Sequence, residues 1–119
     1  VPVLMAGGTQ MTAVLSVVRA LRAEVLENVA IGTTRWIIQD RSSDIRGLVS
    51  QICDVPVLAA NLNFSESEIE GLKAYERGVV KEGVGAGGAS VAAFLKTGGK
   101  VSSKVLLREI EESYRKLVG

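Results

Sequence analysis

Three short apolar runs, Val1 to Met5, Val29 to Thr34 and Val55 to Ala60, alternate along the chain with segments whose apolar residues recur at three- and four-residue steps. Short runs rich in Val and Ile suit strands, and the longer period suits helices with one buried face. A strand that reaches the next strand through a helix starts again from the same edge of the sheet, so the two run parallel. The third run is apolar at every position, as expected where helices cover both faces. The alternation predicts an α/β fold, a Rossmann-like parallel sheet flanked by helices and ending in a helical segment. Residues 1–119 read as a single domain, with a strand and helix core over 1–78 and a glycine loop with terminal helices over 79–119.

Between the first two runs, Ala6-Gly7-Gly8 marks a turn, and Met11, Val14, Leu15, Val18, Leu21 and Val25 trace the buried stripe of a first helix. Ile45, Leu48, Val49 and Ile52 trace a second, after the polar loop Asp40 to Asp44. Ser65-Glu66-Ser67-Glu68 has capping-box spacing and predicts a helix from there to about Arg77, stopped by Gly78. Val91, Ala92, Phe94 and Leu95 predict another helix, broken at Lys96 to Lys100. Ser102 or Ser103 opens a last one, with Val105, Leu106, Ile110, Tyr114 and Leu117 inward and Glu109, Glu111, Glu112, Arg115 and Lys116 on its solvated face.

Composition narrows the chemistry. Fourteen Lys and Arg against 13 Asp and Glu leave a net charge of +1, with no basic run, so no field attracts DNA or RNA. The chain has no histidine, which excludes a serine-histidine triad and a histidine-built metal site within it. One cysteine, Cys53, allows no internal disulfide and no paired-cysteine metal knuckle, so no metal is expected. Cys53 precedes a strand with no basic neighbour and reads as core filler. The apolar runs are too short to span a membrane, and the expected location is cytoplasmic. The chain opens directly on a strand without an initiator Met, which predicts a piece of a longer protein.

Eight of the 13 glycines fall in three clusters, Gly7-Gly8, Gly83 to Gly88 and Gly98-Gly99. The first two precede or open helices, whose free first-turn N–H groups attract phosphates and carboxylates. Tight turns and close packing of helix on sheet need glycines for their own reasons, so both readings stand for Gly7-Gly8, and the longer run favours a ligand. That run satisfies G-x-G-x-x-G, but it follows a predicted helix and not a strand, which argues against a dinucleotide. No Lys-Ser or Lys-Thr follows it, so it is no Walker loop. Glu82 stands just before these glycines, either as a base in a partly dry cleft or as a solvated loop carboxylate. Ser42 offers a hydroxyl to a phosphate or, like Ser43, a cap to the helix that follows.

Lys81-Glu82-Gly83-Val84-Gly85-Ala86-Gly87-Gly88-Ala89-Ser90 resembles the glutamate-glycine loop of the nicotinate-nucleotide:dimethylbenzimidazole phosphoribosyltransferases, in particular their archaeal-type branch. Ala6-Gly7-Gly8-Thr9-Gln10-Met11 and Ser42-Ser43-Asp44 follow the order of that family's other phosphate-side loops. The resemblance covers most of Met5 to Leu95. It implies transfer of the phosphoribosyl group of nicotinate mononucleotide to a benzimidazole-type or purine base, in synthesis of the lower ligand of cobalamin, without a cofactor and by a homodimer. It makes Glu82 the general base, sets Gly7, Gly8 and Ser42 on the phosphate, and puts Gly83 and Gly85 around the donor. Lys81, Val84 and Gln10 depart from the bacterial pattern and leave the acceptor base open. The amino-terminal part of the family's fold, which completes the acceptor pocket, lies outside the resemblance, so the 119 residues alone are expected to bind phosphate and not to turn over. The alternative from another class is a non-catalytic module that binds nucleotide phosphate.

Overall fold

The computed structural model describes residues 1–79 and 85–119. Three strands, β1 (Val3–Ala6), β2 (Val29–Thr34) and β3 (Val57–Ala60), form a parallel sheet in the order β1-β2-β3. The α/β architecture expected from the apolar alternation is present. In register, Met5 lies opposite Ile31 and Ile31 opposite Val57, while Ala6 lies opposite Gly32 and Gly32 opposite Leu58. Side chains alternate across a strand, so Met5, Ile31 and Val57 share one face and Ala6, Gly32 and Leu58 the other. Pro56 shows why β3 starts later than its apolar run: the ring nitrogen has no proton to give, yet its carbonyl already accepts the Ile31 N–H at 2.8 Å.

Helix α1 (Gln10–Arg22), a 3₁₀ segment (Ala23–Asn28), the short α2 (Arg35–Ile38) and α3 (Ile45–Ile52) make the crossovers. Leu15 of α1 and Ile45 and Val49 of α3 pack with Ile31 in one core cluster, so both crossovers lie on the same face. On the other face runs α5 (Gly85–Lys96), whose Val91 joins Trp36, Ala60, Leu62 and Phe64 in a second cluster. The chain between β3 and α5 carries α4 (Glu70–Glu76), and α6 (Ser103–Val118) ends it.

Several sequence expectations change. The stripe predicted for the first helix is only partly inward: Leu15 is fully buried, but Val14 and Leu21 are exposed, and Val25 falls in the 3₁₀ segment. The capping box does not form. Helix α4 begins at Glu70, and the Ser65 hydroxyl turns back to Asn63 Oδ1 at 2.6 Å. Glu111 reaches from α6 instead, accepting from the Ser67 hydroxyl at 2.6 Å and the Glu68 N–H at 3.0 Å, so it is no solvated-face residue. Its neighbours Ile110, Tyr114 and Leu117, expected inward, are exposed, and α6 meets the second cluster through Leu106 and Leu107. Gly78 does stop α4. With φ of +69° it adopts the left-handed conformation, its N–H bonds Tyr75 O and the Val79 N–H bonds Ala74 O.

Candidate functional site

Parallel strands deliver all their C-terminal ends to one edge of the sheet, and ligands of open α/β sheets bind in the crevice outside that edge. Here the edge carries Gly7-Gly8 after β1 and Thr33-Thr34 at the end of the central strand β2. Gly7 extends the pairing of β1, its N–H donating to Gly32 O at 3.0 Å. Neither Gly7 nor Gly8 has positive φ, so the turn does not demand glycine for its backbone angles. It demands room: a Cβ on Gly7 would stand 2.7 Å from Met11 Cγ. The ladder of α1 begins with Met11 N–H on Gly8 O and Thr12 N–H on Thr9 O, both at 3.0 Å, and the amides of Gly8, Thr9 and Gln10 lie ahead of it. No acidic residue occupies the first turn of α1, so its positive dipole end is uncompensated from within the helix.

Helix α5 opens at the same edge. Gly85 is its first residue, and a Cβ there would lie 3.9 Å from Ala6 O, beside the Gly7-Gly8 turn. The next glycines serve packing. A Cβ on Gly87 would come within 2.4 Å of the Thr33 carbonyl carbon, and one on Gly88 within 2.4 Å of Ala6 Cβ. Gly32 meets them from the sheet, where an added Cβ would lie 2.9 Å from Gly88 Cα. The density of glycine that favoured a ligand in the sequence is thus accounted for in half of the run by contact of helix with strand.

Ser42 is engaged elsewhere. Its N–H and hydroxyl both donate to Asp40 Oδ1, at 2.9 and 2.7 Å, which braces the exposed loop between α2 and α3. The cap of α3 is Asp44, whose Oδ1 accepts from Gly47 N–H at 2.9 Å, so neither Ser42 nor Ser43 is the N-cap. The structure sets Gly85 beside the Gly7-Gly8 turn, while the hydrogen bonds of Ser42 stay within its own loop. Glu82 and Gly83 lie outside the described residues.

The sequence reading missed the hydroxyls at the end of β2. Thr33 is fully buried and Thr34 nearly so, and neither Oγ1 has a hydrogen-bond partner among the described residues. The available signal was two threonines closing an otherwise apolar strand at the edge where ligands bind. Arg35, the next residue, is not a free cation: its guanidinium donates to Glu76, Leu62 O and Gln39 Oε1. Burial pushes the Glu76 carboxyl up, but the Phe64 N–H at 2.7 Å and Arg35 together hold it below the usual carboxylate range. Burial raises the Cys53 thiol, which keeps it protonated and a poor nucleophile.

A concavity of about 600 Å³ lies between β3, α5 and the start of α6, against Leu58, Leu62, Val91, Phe94, Leu95 and Leu106. None of its described lining residues titrates, so they offer no acid or base. Among the described residues no group of three or more His, Cys, Asp or Glu side chains is placed to hold a metal, and no helix is long and apolar enough to cross a membrane.

No family model matches this chain. It is 51% identical over 115 residues to a UPF0284 protein of Sulfurisphaera tokodaii, an alignment that takes in 97% of this chain and 32% of that protein. Similar matches are UPF0284 proteins of Sulfolobus acidocaldarius, 51% identical over 98% of this chain and 33% of the relative, and of Methanopyrus kandleri, 47% identical over 97% and 30%. The chain spans about a third of the length of these curated relatives, whose names state no activity.

Proposed function

We propose that this chain is the α/β part of a phosphoribosyltransferase that moves the phosphoribosyl group of nicotinate mononucleotide to a benzimidazole-type or purine base, in synthesis of the cobalamin lower ligand. The observation that carries the proposal is the meeting of the Gly7-Gly8 turn, the first turn of α1 and Gly85 of α5 at the C-terminal edge of the sheet. Glycine backbones and helix N-termini bind phosphate through N–H groups and need no metal. With the phosphate fixed, a ring nitrogen of the acceptor attacks ribose C1. The C–N bond to nicotinate breaks, its electron pair returns to the pyridine ring, and the attacking nitrogen gives up its proton to a base. That base is Glu82 by the family resemblance. A homodimer in the cytoplasm is part of the same proposal.

Nicotinate release from nicotinate mononucleotide, with benzimidazole and purine bases offered as acceptors, tests the reading on this chain and on the full-length Sulfurisphaera tokodaii relative. The relative is expected to release nicotinate, and this chain to bind the donor without turnover. Replacing the relative's glutamate aligned with Glu82 by glutamine is expected to lower its turnover by roughly 10² to 10⁴ with little loss of donor affinity. Donor binding without release under any base would instead identify a non-catalytic nucleotide-phosphate module.

A further inference from the structure

The hydroxyl of Thr33 is the least explained polar group at the sheet edge. Thr33 is fully buried, and its Oγ1 has no hydrogen-bond partner among the described residues. Buried hydroxyls are nearly always paired, and the exceptions mark ligand sites or strain. Its position follows from the register. Ala6 lies opposite Gly32, and Gly7 N–H bonds Gly32 O, so one further step along both strands sets Thr33 beside Gly7. Its side chain shares the face of Ile31, which packs against Leu15 of α1. The Thr33 side chain therefore lies on the α1 side of the edge, on the strand next to the turn whose amides lead into that helix. Thr34 points to the opposite face, where a Cβ on Gly87 of α5 would lie 2.6 Å from the Thr34 amide nitrogen.

We propose that Thr33 is a ligand-binding residue, donating its hydroxyl proton to an oxygen of a phosphate held by the Gly8 and Thr9 amides at the start of α1. The inference rests on the reading of this edge as a nucleotide-phosphate site and adds a side-chain donor to its backbone ones. The hydroxyl is held by packing in a state that an oxyanion relieves, and its seclusion from water strengthens the bond it would make. No carboxylate in the first turn of α1 opposes the anion.

The test uses the 119-residue chain, inorganic phosphate and nicotinate mononucleotide, with Thr33→Val, Thr33→Ser and Thr34→Val. Calorimetric titration should show Thr33→Val weakening phosphate about tenfold, with Thr33→Ser retaining wild-type affinity, since a hydrogen bond to a charged group is at stake. Without ligand, Thr33→Val should melt at the wild-type temperature or above it, because an unpaired buried hydroxyl has been replaced by a methyl of the same shape. A lower ligand-free melting temperature would show a hydroxyl already bonded within the fold and overturn the proposal. Unchanged phosphate affinity in Thr33→Val, equal loss in Thr34→Val, or no phosphate binding by the wild-type chain would overturn it too. Phosphate binding that depends on Thr33, without nicotinate release by the relative, would defeat the transferase reading and leave this one standing. Nicotinate release by the relative, with phosphate affinity of this chain indifferent to Thr33→Val, would do the reverse.

Discussion

A methyl group added at Gly88 would stand 2.4 Å from Ala6 Cβ and 2.7 Å from Ala6 Cα, a distance that backbone cannot yield without moving α5 off the sheet. Gly88→Ala is therefore expected to destabilise the chain by about 1 to 3 kcal/mol in denaturant melts. Gly71, with nothing within 4 Å of an added Cβ, is the contrasting case. Gly71→Ala lies near the start of α4 and should stabilise by about 0.4 to 1 kcal/mol, mainly by restricting the unfolded chain. Similar losses from both changes would contradict the packing role given to Gly88. The sequence could not assign Gly87 and Gly88, because a cradle for a ligand and a close approach to a strand both need a missing Cβ. What decides between them is Gly32, a distant residue brought into contact only by the fold. Glu76 was illegible for the same reason, since its partners Arg35 and Phe64 come from other parts of the chain. Glu76→Ala strands both donors and should cost roughly 1 to 3 kcal/mol, read in the same melts.

Elements were legible where their own periodicity sufficed and illegible where a neighbour determined them. Strand β2 and helix α3 follow from local pattern, as does the glycine stop of α4. The start of α4 does not, because Glu111 of α6 takes the Glu68 amide that a capping box would have bonded to the Ser65 hydroxyl, and the Ser67 hydroxyl with it. The Ser67 hydroxyl, then the Glu68 N–H and Arg115, hold the Glu111 carboxyl below its usual range. A carboxyl lowered in the fold contributes stability above its unfolded value of about 4.3, and that stability is lost as pH falls from there through the lower folded value. Glu76 is lowered in the same direction. Acidification across that window should lower amide-exchange protection, taken relative to the intrinsic rate at each pH, in α4 and α6 before it does so in β2, and Glu111→Gln should remove part of the α6 response. A uniform loss of protection across the sheet and α6 would show that these contacts do not hold the two helices independently.

The whole molecule is more open than its mass requires. Its radius of gyration is 15.4 Å, against about 13.5 Å for a compact chain of this length, and its surface is 7568 Å², against about 6200 Å² for a self-contained monomer of 12.6 kDa. Val14, Val17 and Leu21 on α1, Phe94 and Leu95 on α5, and Leu117 on α6 lie exposed. Apolar surface on that scale favours association, so sedimentation of the chain should show a mass rising with concentration above that of the monomer. A monomer at every concentration would show that these faces are stable in water. The sheet edge bearing Gly7, Gly8, Thr33 and Gly85 is the part on which the functional proposal depends. Titrating the isotopically labelled chain with nicotinate mononucleotide while following backbone amide resonances addresses it most directly. Shifts concentrated at Gly7 to Gln10, Thr33, Thr34 and Gly85 are the predicted result. Shifts confined to the apolar groove along β3, or none at saturating donor, would contradict a nucleotide-phosphate site at this edge.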